Sequence, residues 1–296
     1  MKTRKTLRLI SLVAAILLLV PALFACTNGS DKDNTTTSAT VSESTEASSA
    51  STEDSDSLYV KDKGELVIGI TYFAPMDYFD EDGTTLIGFD HDLAAAVAEK
   101  LGVAPKFQLI NWSTKETELA SKAIDCIWNG MTVDADRAEN MNLTANYMIN
   151  RQVLVVKASR LDEFTSIADM AEMSGAAEAG SAGEDVINSY PELAAGLASV
   201  EDQANALLEV KAGTADYCVI DSVMAEYLLA SDSDFSELST VEAITLSDDE
   251  FYAAAFRKGS DLRDEVNDIL AELWADGTIG SIAEKYGVTG ALVEIA

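Results

Sequence analysis

Histidine, cysteine and proline are scarce in this chain. Its 296 residues include one histidine, three cysteines and four prolines. Cys126 and Cys218 each lie inside apolar, strand-like runs, so we interpret them as small buried side chains, with a Cys126–Cys218 disulfide as the alternative for an exported chain. His91 has no partner at metal-ligand spacing. The sequence therefore predicts no disulfide framework, no metal site and no cofactor.

Positive charge is also scarce. The chain has 20 lysines and arginines against 51 aspartates and glutamates, a formal net charge of −31. A field of that sign repels phosphate groups. The composition therefore argues against nucleic acid and against anionic lipid headgroups as partners.

The N-terminus departs from this acidic composition. Residues 1–9 carry Lys2, Arg4, Lys5 and Arg8 with no acid, and an almost unbroken apolar run follows up to Phe24. A basic start and an apolar run of this length are typical of a secretory signal, too short and wrongly flanked for a permanent membrane span. We therefore predict a signal peptide over residues 1–25.

The end of this signal, Ala25-Cys26, resembles a bacterial lipobox. That resemblance implies cleavage before Cys26 and attachment of a lipid anchor to its thiol, while a plain signal peptide with an incidental cysteine is the alternative. Residues 26–57 are rich in Thr, Ser, Asp and Glu and have too little apolar surface to offset the entropy cost of folding. We predict a lipidated, disordered tether over this range.

Residues 58–296 alternate predicted strands and helices, which is typical of α/β proteins with mainly parallel sheets. The predicted strands are Leu66–Ile70, Phe107–Ile110, Ile124–Trp128, Gln152–Lys157, Ala176–Ala179 and Tyr217–Ile220. The segments 119–127 and 208–220 share one order of helix, turn, aspartate and buried strand. This internal similarity indicates two lobes of similar build.

The segment Ile124–Arg137 is the most informative stretch for function. A short buried strand breaks at Asn129-Gly130 into a polar turn, and a helix carrying Arg137 follows. Free backbone groups at such a turn, the Thr132 hydroxyl and a guanidinium that can grip a carboxylate through two hydrogen bonds suit a small anion. The alternative is that Arg137 pairs with a neighbouring acid on a helix surface.

Together with several other motifs, this segment resembles the extracellular solute-binding proteins of amino-acid ABC importers, known as family 3. The motifs are Gly88–Leu93, Asn111–Ser113, Ile124–Arg137, Gly180-Ser181, Asp216 with Asp221, and Phe256–Gly259 with Asp276–Thr278. The resemblance implies a two-lobed periplasmic-binding-protein fold of type II with a two-strand hinge. Lobe 1 is expected over 58–152 plus 248–296, and lobe 2 over 153–247.

The resemblance also implies a function. We expect a monomeric, non-enzymatic receptor, held by its lipid at the extracellular face of the cell membrane, that delivers an L-amino acid to an ABC permease. Two alternatives stay open: a dehydratase-type enzyme on the same fold, and a ligand-sensing lipoprotein without transport.

The same resemblance assigns a set of residues to the ligand site. They are Phe73, Trp112, Asn129, Gly130, Thr132, Arg137, Ser181, Ala182 and Asp221. Arg137 and Thr132 are expected to hold the ligand carboxylate, assisted by the N–H groups of Ser181 and Ala182 at a helix start. Asp221 and the Gly130 carbonyl are expected to take the ammonium group.

The remaining members of the set shape the space for the ligand side chain. Phe73 and Trp112 are expected to form aromatic walls, and Asn129 to lie at the edge. With Ile70, these residues favour a mostly apolar space suited to polar, neutral or sulfur-containing amino acids.

Each assignment has a structural alternative. Phe73 and Trp112 could be core aromatics, and Asp221 and Ser181 could simply cap helices. We assign Asp90 to capping a helix and Asp92 to the surface, not to the ligand.

Overall fold

The computed structural model describes residues 55–231 and 233–295. The predicted signal peptide, the predicted lipidation site Cys26 and nearly all of the predicted tether lie outside these residues. Within the described ranges, no helix is both long and apolar enough to span a bilayer. The same ranges contain no cluster of three or more histidine, cysteine, aspartate or glutamate side chains suited to a metal ion.

Short strands make up the sheets. In chain order they are β1 Glu65–Ile70, β2 Tyr78–Phe79, β3 Leu86–Ile87, β4 Ala104–Leu109, β5 Cys126–Ile127, β6 Met141–Leu143, β7 Met148–Asn150, β8 Gln152–Lys157, β9 Gly175–Glu178, β10 Leu197–Val200, β11 Tyr217–Asp221, β12 Leu238–Thr240, β13 Glu250–Tyr252 and β14 Ala255–Arg257.

Helices cover the faces of these sheets. In chain order they are α1 Asp56–Lys63, α2 Phe89–Leu101, α3 Lys115–Ala120, α4 Ala135–Asn140, α5 Ala182–Ser189, α6 Pro191–Ala194, α7 Gln203–Ala212, α8 Ser222–Ser231, α9 Leu262–Ala275 and α10 Thr278–Tyr286.

Two five-stranded sheets organise the fold, each the centre of one lobe. The first has the order β4-β1-β5-β14-β6 and the second β10-β9-β11-β8-β12. In the first, β1 is parallel to β4 and β5, whereas β14 is antiparallel to β5 and β6. In the second, β9 is parallel to β10 and β11, whereas β8 is antiparallel to β11 and β12. The expected two-lobed α/β architecture is therefore present, with an antiparallel part in each sheet.

The antiparallel parts follow from how the chain passes between the lobes. β7 and β13 form a separate two-stranded antiparallel ribbon. The chain enters lobe 2 directly from β7 into β8 and returns through β13 into β14. Neither β8 nor β14 follows a helical crossover of the kind that parallel pairing requires. This ribbon is the expected two-strand connection between the lobes.

The local sequence explains the main elements. All of β1 from Leu66 onward is buried, as expected for a strand with neighbours on both sides and helices over its faces. Asp202 caps α7 by accepting a hydrogen bond from the Asn205 N–H at 2.7 Å, and Gly213 ends that helix at φ 78°. Cys126 and Cys218 are buried free thiols.

The described body begins with α1, slightly ahead of the tether boundary expected at residue 57. Ser55 caps this helix by accepting a hydrogen bond from the Leu58 N–H at 3.1 Å. Asp56 is buried and pairs with Arg257 at 2.9 Å. Since the contact of Asp56 is polar and joins it to a residue distant in sequence, composition alone could not reveal it.

Candidate functional site

A small cavity lies between the two lobes, with about 10 Å³ of free space inside it. It is lined by Phe73, Trp112, Asn129, Gly130, Thr132, Arg137, Glu178, Ser181, Ala182, Gln203 and Asp221. Every residue predicted for the ligand site is in this set, and Glu178 and Gln203 are additional. A larger open groove beside the ribbon, with a volume of about 650 Å³, has no comparable convergence of buried charge and carries none of the predicted residues.

Strand ends bring the lobe 1 residues together. Phe73, Trp112 and Asn129 follow β1, β4 and β5, which are parallel neighbours. The carboxyl ends of parallel strands meet at one edge of a sheet, where open α/β proteins bind ligands. In lobe 2, Glu178 and Asp221 are the last residues of β9 and β11, which are also parallel neighbours. Two such edges therefore face each other across the cavity.

Arg137 is held in a fixed orientation at the start of α4. Asp134 caps this helix by accepting from the Arg137 N–H at 2.7 Å and also pairs with the Arg137 Nε at 3.1 Å. Nη1 donates to the Thr132 carbonyl at 2.8 Å, and Nη2 reaches across to the Gly180 carbonyl of lobe 2 at 3.3 Å. The side chain is almost fully buried. The guanidinium is therefore a positioned cation in the cavity wall, not a surface charge.

Lys115 makes a second contact between the lobes. Its ammonium donates to the Trp112 carbonyl at 3.2 Å and to the Gly180 carbonyl at 3.0 Å. Burial, followed by repulsion from Arg137, lowers the pKa of Lys115 to about 8. Two cations of lobe 1 therefore bind one carbonyl of lobe 2, which joins the lobes in the closed arrangement.

Gly130 occupies a position that requires glycine. Its φ is 55°, and a Cβ built there would lie 2.3 Å from the Phe73 ring. Its N–H donates to the Asp90 carboxylate at 2.6 Å, and the Tyr147 hydroxyl donates to the same oxygen at 2.9 Å. This bond fixes the peptide whose backbone faces the cavity.

The expectation that Asp90 is the N-cap of a helix is therefore wrong. Helix α2 begins at Phe89 with Gly88 as its N-cap, so Asp90 lies in the first turn and points inward. It is fully buried beside Asp77. Burial raises the pKa of Asp90 to about 7, against hydrogen bonding from Gly130 and Tyr147. Asp90 thus supports the site from behind.

Asn129 and Thr132 are already hydrogen-bonded. Asn129 accepts from the Thr71 N–H at 3.1 Å and donates to the Thr71 hydroxyl at 2.7 Å. The Thr132 hydroxyl donates to Glu250 at 2.8 Å. To bind a ligand carboxylate as expected, the Thr132 hydroxyl would have to donate its hydrogen bond to the ligand instead of to Glu250.

Ser181 lies at the start of α5, as expected. Its hydroxyl caps the helix by accepting from the Glu184 N–H at 3.1 Å, and its own N–H donates to the Glu178 carbonyl at 3.1 Å. In this arrangement the Ser181 N–H is therefore engaged, although both Ser181 and Ala182 line the cavity.

Asp221 is the centre of a buried amide network. One carboxylate oxygen accepts from Gln152 at 2.9 Å and from Asn150, and the other accepts from Gln203. Burial, followed by repulsion from Glu250, raises the pKa of Asp221 to about 6. The carboxylate is therefore well placed to bind a cation. Without one, its burial as a charged group costs free energy.

Glu178 and Gln203 are the cavity residues that sequence reasoning missed. Glu178 is 3% exposed, and its Oε1 has no hydrogen-bond partner among the residues that the structure describes. Burial, followed by repulsion from Asp221 and Asp202, raises the pKa of Glu178 to about 8. One sequence signal could have identified Glu178: it lies at the end of a strand, just before the Gly180-Ser181 turn. The signal is weak because the alanine-rich run around it predicts only a weak strand.

Comparison with known proteins agrees with this architecture. The L-cystine-binding protein TcyA of Bacillus subtilis is 28% identical over 234 residues, covering 77% of this chain and 82% of its own. The arginine-binding extracellular protein ArtP of the same organism is 25% identical over 226 residues, covering 76% and 86%.

A solved structure is similar over the same region. An ABC uptake transporter substrate-binding protein of Streptococcus pneumoniae with bound histidine superposes with a TM-score of 0.75 at 29% identity, covering 82% of this chain and all of that one. The family model described as bacterial extracellular solute-binding proteins, family 3, matches residues 66–289. The chain therefore belongs to the bacterial extracellular solute-binding proteins of family 3.

Proposed function

We propose that this protein is an extracellular receptor that captures an L-amino acid between its two lobes and delivers it to an ABC permease. The observation that carries this proposal is the meeting of a buried guanidinium from lobe 1, Arg137, and a buried carboxylate from lobe 2, Asp221, in one cavity. An α-amino acid carries the two complementary charges on one carbon. The relatives named for cystine and arginine, and the structure with histidine, support an amino acid as the ligand class.

The binding geometry follows from the charges. The ligand carboxylate accepts hydrogen bonds from the Arg137 guanidinium, with the Thr132 hydroxyl and the N–H groups at the start of α5 as further donors. The ammonium group meets Asp221 and the Gly130 carbonyl. Charge-assisted hydrogen bonds contribute about 1.5–3 kcal/mol each, so a few of them supply about −8 kcal/mol, which corresponds to micromolar affinity.

Closure of the lobes completes the site. Because the two charged groups lie on different lobes, an open form can hold only one end of the zwitterion. The ligand therefore binds the closed form more tightly and shifts the population toward it. Lys115 and Arg137 add contacts to Gly180 that exist only when the lobes meet. The permease would then recognise the closed form.

The remaining expectations are part of the same proposal. Residues 1–25 direct export, Cys26 carries the lipid anchor, and the polar segment up to about residue 57 tethers the body to the extracellular face of the membrane. Lobe 1 spans 58–152 plus 248–296 and lobe 2 spans 153–247, with the receptor acting as a monomer.

A ligand screen tests the proposal. Purified protein is titrated with the L-amino acids in a thermal-shift assay, and we expect one or a few of them to raise the melting temperature. Arg137→Ala and Asp221→Ala should abolish that shift, whereas Arg160→Ala, which removes a surface arginine paired with Glu163 and Asp216, should retain it. If another class of solute stabilises the protein while no amino acid does, the ligand assignment is wrong.

Catalysis is the second candidate, and one observation favours it. A dehydratase needs a general acid near the leaving group, and a carboxyl whose pKa is about 8 is protonated at neutral pH. Glu178 has that property. Mass spectrometry of the ligand recovered after prolonged incubation separates the two: a receptor returns it unchanged, whereas an enzyme converts it.

A further inference from the structure

Resting on the proposed function, we infer that Glu178 makes this receptor selective for amino acids whose side chain carries a hydrogen-bonding cation, namely a guanidinium or an alkylammonium group. This differs from the neutral ligand that the aromatic walls alone would favour. Three features of the cavity favour such a side chain: the placement of Glu178, the charges around the cavity and its aromatic faces.

Glu178 has an unmet hydrogen-bonding demand inside the cavity. Its side chain lines the cavity and is 3% exposed, and its Oε1 has no hydrogen-bond partner within residues 55–231 and 233–295. A buried acceptor without a partner costs about 1–3 kcal/mol, more for a charged group. A ligand donor that reaches this oxygen recovers that cost.

The charges that line the cavity are unequal. Arg137 supplies one positive charge, while Glu178 and Asp221 each supply a carboxylate. The α-carboxylate and α-ammonium of a ligand compensate Arg137 and Asp221 and leave Glu178 without a counter-charge. A side-chain cation completes the balance, whereas a neutral side chain leaves a buried carboxylate unpaired or forces it to take up a proton.

Nearby protein groups do not supply this counter-charge. Lys115 acts on Glu178 through space, but its ammonium donates to the carbonyls of Trp112 and Gly180. Among the described residues, no ion pair within 4.0 Å joins Lys115 or any other cation to Glu178. Gln203 lines the same cavity, and its side-chain amide donates to Asp221.

The aromatic walls suit a cation as well. Phe73 and Trp112 line the same cavity and are nearly fully buried. A guanidinium or ammonium group over an aromatic face gains about 0.5–2 kcal/mol, with the larger value for desolvated sites. A side chain between these rings and Glu178 would combine an apolar stem with a charged end.

The proton on Glu178 provides a signature of this ligand class. The charged and titratable groups that face Glu178 are Asp221, Asp202 and Lys115. Burial, followed by repulsion from the two aspartates, raises the pKa of Glu178 to about 8, and the positive charge of Lys115 opposes that rise. A cationic ligand binds the ionised carboxylate, so binding below pH 8 must release a proton. Affinity should then fall by about 20-fold from pH 7.5 to pH 6, a ratio obtained from that pKa. A neutral ligand that accepts a hydrogen bond from the protonated acid would show the opposite trend.

The experiment is isothermal titration calorimetry of the purified protein with two panels at pH 7.5. One panel is L-arginine, L-lysine and L-ornithine, and the other is L-glutamine, L-leucine and L-cystine. We expect binding in the first panel, at least about tenfold weaker in Glu178→Gln, an isosteric change that removes the charge. Glu163→Gln, at a surface carboxylate of the same lobe paired with Arg160, is the matched control and should bind as the wild type does.

The pH series is repeated on Glu178→Gln with the basic ligand that binds. The inference is supported if the variant loses most of the decrease in ligand affinity between pH 7.5 and pH 6. A small decrease should remain, since Asp221 also takes up a proton in this range. Near-native thermal unfolding of the free variant separates a binding defect from a folding defect.

The outcomes separate this inference from the function on which it rests. If the wild type binds only neutral amino acids, or if Glu178→Gln binds the basic ones as tightly as the wild type does, the inference is wrong while the receptor function stands. If the wild type binds neither the amino acids of the two panels nor any other L-amino acid, the proposed receptor function itself is wrong. The wild-type panel alone decides the ligand class, whatever the stability of the variant.

Discussion

Replacement of Gly130 by alanine should damage both the fold and the site, through two costs that can be measured separately. The first is backbone strain, because Gly130 has φ 55° and an L-residue in this left-handed region costs about 1–2 kcal/mol. The second is steric. The new Cβ would lie 2.3 Å from Cε1 and 2.9 Å from Cδ1 of Phe73, a ring that is itself buried against Tyr252.

The Phe73 ring cannot easily move away from the new Cβ. Phe73 is 3% exposed, and its backbone is fixed by paired hydrogen bonds with Asp77 at 2.7 and 2.8 Å. Overpacking of this kind costs about 1–3 kcal/mol, so we expect a total loss of about 2–5 kcal/mol in the free energy of unfolding. The displaced ring would also move into the cavity, and ligand affinity should fall by about tenfold or more.

A second glycine isolates the strain. Gly102 has φ 77° at the end of α2, and a Cβ there meets no atom within 4 Å. Gly102→Ala should therefore cost only the backbone part and leave the ligand affinity unchanged. Urea unfolding and calorimetric titration of both variants measure the two effects. If Gly130→Ala is no less stable than Gly102→Ala and binds ligand as the wild type does, the close packing against Phe73 has no role.

Two further predictions concern closure and pH. Lys115→Met removes a hydrogen bond between the lobes and should weaken ligand affinity about tenfold in calorimetry. The control is Lys106→Met, at an exposed lysine paired with Glu65 on the lobe 1 surface, which should leave the affinity unchanged. Equal ligand affinities for the two variants would contradict the role of Lys115 in closure. Burial raises the pKa of Asp90, Glu178 and Asp221 to about 7, 8 and 6. A carboxyl whose pKa is raised on folding stabilises the protein fully below its unfolded pKa near 4 and loses that contribution as the pH rises through the folded value. The free energy of unfolding of the ligand-free protein should therefore fall between pH 5 and pH 8, by at most about 1.4 kcal/mol per group and pH unit, and a flat urea-unfolding profile would contradict these shifts.

Local sequence patterns predicted much of the fold and of the cavity lining. The strand that ends at Asn129-Gly130, the helix that carries Arg137 and the strand that ends at Asp221 each have a clear local signal: an apolar run, a glycine turn or a capping side chain. Parallel pairing of strands then brings their ends to one edge. These features depend on neighbours in sequence, and sequence reasoning can reach them.

Other features depend on contacts between distant segments. The local sequence predicts Asp90 as a helix N-cap, yet its carboxylate accepts the Gly130 N–H from a segment 40 residues away. Glu178 belongs to a strand whose alanines give little signal, and its environment is set by Asp221, Asp202 and Lys115 from three other elements. A charged residue in a weak strand is ordinarily read as solvent-exposed. Its burial depends on side chains from distant segments of lobe 2 and on Lys115 of lobe 1, which the local sequence does not show.

The most direct test of the account uses modified ligands. The L-amino acid that binds in the screen is compared by calorimetry with its carboxamide, which lacks the α-carboxylate, and with its N-acetyl derivative, which lacks the ammonium group. If Arg137 and Asp221 hold the two ends of one zwitterion, each derivative should bind at least about tenfold more weakly than the parent amino acid. Affinity equal to the parent's for either derivative would contradict the central claim.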